Sequence, residues 1–236
     1  MKISYVVGID EVGRGPLAGP VTVCAFAIPY ELYMKRYSGF RKLVNVVGGT
    51  DGRKNGLKNF DLMQDSKTVK ESRREGASKL LWDLAASKVG AVHFSIASKS
   101  AKDIDKFGIS VCIQKLISKN LQEVMKKVGA GKSRKRSEDN LNNILVLLDG
   151  SLKAPQEFVN QKTIIKGDAK EKVISCASIL AKVHRDNHMR KLSKKSEFSI
   201  YDFHIHKGYG TLKHREAIKK YGLSGEHRKS FCKRLV

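Results

Sequence analysis

"GIDEVGRGPLAGPV", residues 8–21, decides how the N-terminal part of the chain is organised. Before it, Tyr5-Val6-Val7-Gly8-Ile9 is an apolar run of strand length; after it, Pro20 to Ile28 is a second, neighbouring strand. Between them stand two adjacent carboxylates, Asp10 and Glu11, and an arginine flanked by glycines, Gly13-Arg14-Gly15. Carboxylates placed where a strand leaves its sheet fall in the kind of crevice where open α/β sheets put their ligands.

Outward from this segment, strand and helix patterns alternate. Residues 29–62 read as an irregular surface insertion rich in glycine, asparagine and lysine. An amphipathic helix is predicted over 70–87, with Leu80, Leu81, Leu84 and Ala85 inward, then a strand over 89–98 and a helix over 109–128. "GAGKSRKRSEDN" (129–140) breaks the periodicity. "NILVLLDG" (143–150) is a third buried strand ending on Asp149, and "KTIIKGDAK" (162–170) is a short strand followed by Gly167 and Asp168. A long helix runs over 171–192, with Val173, Ile174, Ala177, Leu180 and Ala181 as its apolar positions. The tail from 198 is expected to pack one or two helices over a sheet edge. Strands interleaved with helices imply α/β layering.

At 236 residues the chain fits one domain, or one domain with an appendage. No apolar run approaches the roughly 20 residues that span a bilayer, and the first strand begins so early that no signal peptide is expected. A cytoplasmic protein follows. Cys24, Cys112, Cys176 and Cys232 are scattered, which favours reduced thiols over zinc clips or a disulfide framework. Lys and Arg number 46 against 23 Asp and Glu, a net charge of +23. The excess is uneven, +8 over residues 1–118 and +15 over 119–236. Such an excess points to a polyanion, nucleic acid before other anionic surfaces.

Asp10, Glu11, Asp149 and Asp168 thus fall at element boundaries of a strongly basic protein. Acids gathered together repel unless cations sit between them, and all-oxygen ligation selects Mg²⁺ or Mn²⁺. Each acid also has a structural reading. Asp168, three residues before Glu171, suits a helix N-cap with a capping-box partner; Asp149-Gly150 suits a turn; Asp10 suits a pairing with lysine.

The chain resembles the ribonuclease HII family. The resemblance is carried in order by residues 8–21, "DSKTVKESRRE" (65–75), "LLDG" (147–150), "KGDAKEKVISCASILAKVHRD" (166–186), "HKGYGT" (206–211) and "YGLSGEHRKSF" (221–231). It implies a ribonuclease H-like mixed β-sheet flanked by helices, a catalytic domain over 1–196, and a C-terminal helical substrate-binding extension over 197–236. It implies a metal-dependent endoribonuclease that cuts the RNA strand of RNA–DNA hybrids and single ribonucleotides embedded in duplex DNA. The cut falls 5′ of the ribonucleotide and leaves 3′-hydroxyl and 5′-phosphate ends, in the service of ribonucleotide and RNA-primer removal. Asp10, Glu11, Asp149 and Asp168 match the family's metal-binding catalytic acids, holding two divalent ions per site, Mg²⁺ or Mn²⁺. Gly13, Arg14 and Gly15 match the segment that reads the ribonucleotide 2′-hydroxyl, largely through its backbone, and Tyr209 the residue that stacks on the next sugar. Lys67, Ser175 and Ser178 are the phosphate contacts expected, beside a helix N-terminus. A monomer is expected, and a replication sliding clamp stays open as a further partner.

Arg14 separates the chain from the sister family, ribonuclease HIII, which lacks that form of the glycine segment. A non-catalytic RNA binder would need the basic surface but gives no reason for four acids at strand ends. The basic run "KSRKR" (132–136) reads as a solvated loop, His184 and His188 as ordinary helix residues, and His204 and His206 as weak ligand candidates straddling a strand-like turn. Asp186 is expected to pair with a neighbouring Arg or Lys.

Overall fold

A computed structural model describes residues 2–35, 70–87, 92–129 and 141–235. Strand β1 (Tyr5–Val12) is the centre of a five-stranded sheet and pairs antiparallel with β2 (Val21–Pro29). On the far side of β2 lies β3 (His93–Lys99), also antiparallel; on the far side of β1 come β4 (Ile144–Asp149) and β5 (Gln161–Ile164), both parallel, giving the order β3-β2-β1-β4-β5. The sheet is therefore mixed. β1 is longer than its apolar run, because β2 goes on pairing past it: Asp10 faces Cys24 and Glu11 faces Val23. Ladder bonds hold the backbone extended there although the side chains are acidic.

The strands' alternation divides the core. Val6, Cys24, Phe26 and Leu147 pack against helices α2 (Glu71–Ala86) and α6 (Lys172–Ser193), whereas Val7, Ile9, Val23, Ala25, Val146 and Leu148 pack against α4 (Ile109–Lys127). Gly8 shows how close α6 comes. A Cβ on it would lie 2.2 Å from the carbonyl carbon of Val173, so only glycine admits the helix at that height. The expected inward residues of α2 and α6 are buried, apart from half-buried Ala85.

Several expectations are corrected. A five-residue helix, α1 (Tyr30–Met34), opens the stretch read as irregular. A two-turn helix, α3 (Ala101–Phe107), precedes α4; Ser100 and Asp103 close a capping box at its start and Gly108 ends it. Asp168 does not cap the long helix. It sits in a separate short turn, α5 (Gly167–Lys170), and the N-cap of α6 is Glu171. The tail carries four short helices among the described residues, α7 (Ser196–Ser199), α8 (Phe203–His206), α9 (Leu212–Tyr221) and α10 (Lys229–Cys232). His204 and His206 lie on α8, not on a strand-like turn.

α7 and α8 pack on the C-terminal half of α6, where Met189, Leu192, Phe198, Tyr201, Phe203 and Ala18 form a third apolar cluster that Ala217 of α9 joins, whereas α10 docks on Asp105 of α3. Ala18 brings the segment after β1 into that cluster. All four cysteines are buried and free, as expected, and Asp186 pairs with Lys182 at 2.8 Å. No helix among the described residues is long and apolar enough to cross a membrane.

Candidate active site

β1 and β4 run parallel with Ile9 opposite Leu148, so Asp10 and Asp149, the next residues along, stand side by side: Asp149 ends β4, while Asp10 lies two residues inside the end of β1. By the alternation of each strand, both carboxylates lie on the face covered by α6. Asp10 is 3% exposed. Its Oδ1 accepts the N–H of Glu11 at 2.8 Å, and its side chain hydrogen-bonds Ser178 of α6. Burial pushes its pKa up to about 8 against the pull of Ser178, and the charges of Glu11 and Asp149 push the same way. Glu11 is also raised by burial, opposed by the Arg14 guanidinium 3.4 Å away. Asp149 Oδ1 accepts the N–H of Gly167 at 2.6 Å, which fixes the turn carrying buried Asp168 against the end of β4.

The donor set is all oxygen, and Asp10 is a buried carboxyl with the charges of Glu11 and Asp149 beside it. That combination fits a hard divalent cation. Among the described residues, however, no three His, Cys, Asp or Glu side chains converge tightly enough to hold one ion. The largest charge effects on Asp10 come from Glu11 and Asp149, and Asp168 follows Gly167, whose N–H Asp149 holds.

The glycine–arginine–glycine segment follows β1 directly. Gly13 is buried with φ +90°, and a Cβ there would lie 2.3 Å from Arg185 Nε, so the fold itself demands glycine. Gly15 differs. It is exposed, its φ is not positive, and a Cβ would meet nothing within 4 Å. The folded chain gives no reason for glycine at 15; a closely approaching ligand would.

Tyr209 joins this segment. The N–H groups of Leu17 and Ala18 donate to Gly208 O at 2.9 and 3.3 Å, stitching the loop after β1 to the "HKGYGT" turn. The Tyr209 ring is 44% exposed, with the Arg185 guanidinium 5.9 Å from its centroid. Its carbonyl is held by a buried histidine pair. Ser224 N–H donates to His227 Nδ1 (2.9 Å), the two Nε2 atoms lie 3.0 Å apart, and His214 Nδ1 reaches Tyr209 O at 2.9 Å. Those contacts fix both tautomers: His227 Nε2–H donates to His214 Nε2, and His214 Nδ1–H to the carbonyl. Burial lowers both pKa values to about 4.

The structure thus brings Asp10, Glu11 and Asp149 to one sheet edge, with Asp168 on the adjoining turn, and sets Gly13-Arg14-Gly15 against Tyr209. Ser175 and Ser178 are 1% and 4% exposed, and Ser178 hydrogen-bonds Asp10. Lys67 lies outside the described residues. So do the insertion near 39–60 and, apart from Gly129, the basic loop at 129–140. Two residues of the quoted motifs that sequence reasoning gave no part, Arg185 and Arg228, are both 0% exposed and bond this loop.

Comparison with known proteins agrees with this layout. The family model described as Ribonuclease HII matches residues 7–38 and 43–235. Ribonuclease HII of Clostridium beijerinckii is 34% identical over 98% of this chain and 69% of that protein; that of Shouchella clausii is 36% identical over 96% and 68%. Among solved structures, ribonuclease H2 from Pyrococcus horikoshii OT3 and RNase HII from a PCNA:RNase HII complex of Archaeoglobus fulgidus each superpose with a TM-score of 0.58. Their identities are 21% and 20%, each covering 98% of this chain and 96% of the other. Bst-RNase HIII in complex with Mn²⁺ gives 0.58 at 14% identity, over 94% of this chain and 64% of that one. The sheet and its helices are those of the ribonuclease H-like fold. The chain belongs to the ribonuclease HII family. Its activity is that class's: ribonuclease H endonuclease cleavage of the RNA in RNA–DNA hybrids.

Proposed function

We propose that this ribonuclease H also cuts at single ribonucleotides embedded in duplex DNA, on the 5′ side of the ribonucleotide, leaving 3′-hydroxyl and 5′-phosphate ends. Asp10, Glu11, Asp149 and Asp168 are the residues that would hold a divalent cation pair, Mg²⁺ or Mn²⁺. Bound there, the cations would supply Lewis acidity for the attacking water and for the departing 3′ oxygen. Asp10 has the central place, adjoining Glu11 in sequence and Asp149 across the strands; Ser178 holds its carboxylate in orientation. Asp168, buried on the turn that Gly167 ties to Asp149, would complete the set.

Recognition is assigned to the neighbouring loop. Arg14 and Gly15 meet the ribonucleotide and Tyr209 stacks on the sugar that follows. Residues 197–236 serve as the substrate-binding extension, Lys67 and the α6 serines support phosphates, and the protein acts as a monomer in the cytoplasm in ribonucleotide and primer removal. The clamp association named for the Archaeoglobus protein carries over as part of the same proposal. The observation that carries the reading is Gly15, a glycine the fold does not need, one loop away from the acids and beside Tyr209.

The test is product mapping at nucleotide resolution on a duplex holding one ribonucleotide, with and without Mg²⁺. A single metal-dependent cut 5′ of the ribonucleotide is expected. A cut on the 3′ side, or cleavage only in continuous RNA, would refute it.

A further inference from the structure

Among the described residues Arg185 and Arg228 are the two largest fully buried side chains, and every hydrogen bond of their guanidinium groups ends on a backbone carbonyl. Arg185 donates to Pro20 O (2.8 Å), Ala18 O (3.1 Å) and Lys207 O (2.9 Å). Arg228 donates to Gly19 O (3.0 Å), Arg14 O (3.0 Å) and Gly13 O (2.7 Å). Five of these six carbonyls belong to the loop between β1 and β2. Placing two cations side by side in the interior is unfavourable unless their donors are satisfied. A guanidinium can satisfy several carbonyls in one plane, which an ammonium cannot.

The direction of these bonds matters more than their number. In a trans peptide the C=O and the next residue's N–H point to opposite sides of the chain. With the carbonyls of Gly13 and Arg14 turned inward to Arg228, the N–H groups of Arg14 and Gly15 are turned outward. Both residues are exposed, and among the described residues neither N–H donates a hydrogen bond. Arg228 is itself held from outside the loop: Asp105 of α3 accepts the N–H groups of Lys229 and Ser230 at 2.9 and 3.0 Å, pinning the first turn of α10.

We propose that Arg228 is the positioning residue for ribonucleotide recognition: its fork turns the Gly13 and Arg14 carbonyls inward and so presents two N–H donors to the substrate's 2′-hydroxyl. Arg185 braces the other side of the same loop and ties it to the turn carrying Tyr209. This rests on the reading that the loop faces the ribonucleotide. Arg228 touches no substrate; it acts through the backbone.

The experiment compares affinity for a duplex containing one ribonucleotide with affinity for the all-DNA duplex of the same sequence, with divalent ions chelated so that nothing is cut. The unaltered protein is expected to prefer the ribonucleotide duplex about tenfold, the size of one or two hydrogen bonds. Arg228→Lys keeps the charge but loses the fork. It should bring that preference to within twofold of unity while affinity for the all-DNA duplex holds within twofold. A merely structural role would weaken both duplexes together, and that outcome overturns the proposal, as does an unchanged preference.

Should Arg228→Lys fail to fold, Asp105→Asn frees the turn behind Arg228 without opening a cavity. It must lower the preference at least threefold, or the proposal falls. Gly15→Ala tests the underlying reading separately. No preference in the unaltered protein, or one that survives Gly15→Ala, overturns the loop's role. A preference lost in Gly15→Ala but kept in Arg228→Lys overturns only the role of Arg228.

Discussion

Acidification should weaken this protein through the histidine pair behind Tyr209, and the size of the effect follows from the geometry. His214 and His227 are buried and neutral, with pKa values lowered to about 4 from 6.5. A group whose folded pKa is depressed binds fewer protons in the folded state, so stability falls as pH drops below the unfolded value and continues to fall to the folded one. Between pH 7 and pH 5 each histidine should cost about 2 kcal/mol, which for the pair is a large part of a typical domain's stability. Asp10 works in the opposite sense. Its folded pKa of about 8 means the fold keeps a proton that the unfolded chain has lost, so acidification over the same range favours the fold. The diagnostic is therefore a difference. His227→Gln keeps a donor for His214 and removes one titration. Urea unfolding at pH 7 and pH 5 should show the variant losing about 2 kcal/mol less than the unaltered protein. Equal losses in the two proteins would refute the buried neutral pair.

Three other outcomes are expected. Gly8→Ala should destabilise the protein by about 3 kcal/mol or more, read by denaturant midpoint, because the added methyl meets the Val173 backbone. Asp10→Asn should abolish cleavage while leaving duplex affinity within severalfold, measured by single-turnover kinetics and fluorescence anisotropy; parallel loss of binding with the fold intact would count against its metal role. Tyr209→Ala should slow cleavage at an embedded ribonucleotide on the order of tenfold, toward the lower end of aromatic stacking energies, and slow a continuous hybrid less. Equal losses on both substrates would leave Tyr209 as packing only.

Much of this was legible in the residues because the physics is local. β1, β2 and β4 announce themselves as apolar runs, and α6 by its spacing, so the acids that end the strands could be placed before any coordinates. β1 runs three residues past its apolar run, since its last residues are held by the partner strand, not by their own hydrophobicity. α3 escaped because two turns between a strand and a longer helix leave little periodicity, although Ser100 and Asp103 carried its capping signal. Asp168 matched a capping pattern in sequence, but Lys166 takes a left-handed conformation and starts a separate turn before α6. Arg185 and Arg228 were illegible for another reason. In a chain with 46 basic residues, nothing local distinguishes two that are buried, and the carbonyls that receive them lie 165 to 215 positions away for most of their bonds.

That separation has a consequence in time. A chain is synthesised from its N-terminus, so the five strands of the sheet and the four acids are all made by residue 168, well before Arg228 is added. Once α6 has followed, the sheet face carrying the acids has its cover and Asp10 its Ser178, yet the loop after β1 still lacks the Arg228 guanidinium that turns its carbonyls inward. Assembly of the cutting edge and setting of the loop beside it are therefore separate events, the second waiting on α10 to dock against Asp105. Until then the growing chain holds its acids without the contacts that we assign to choosing where they cut.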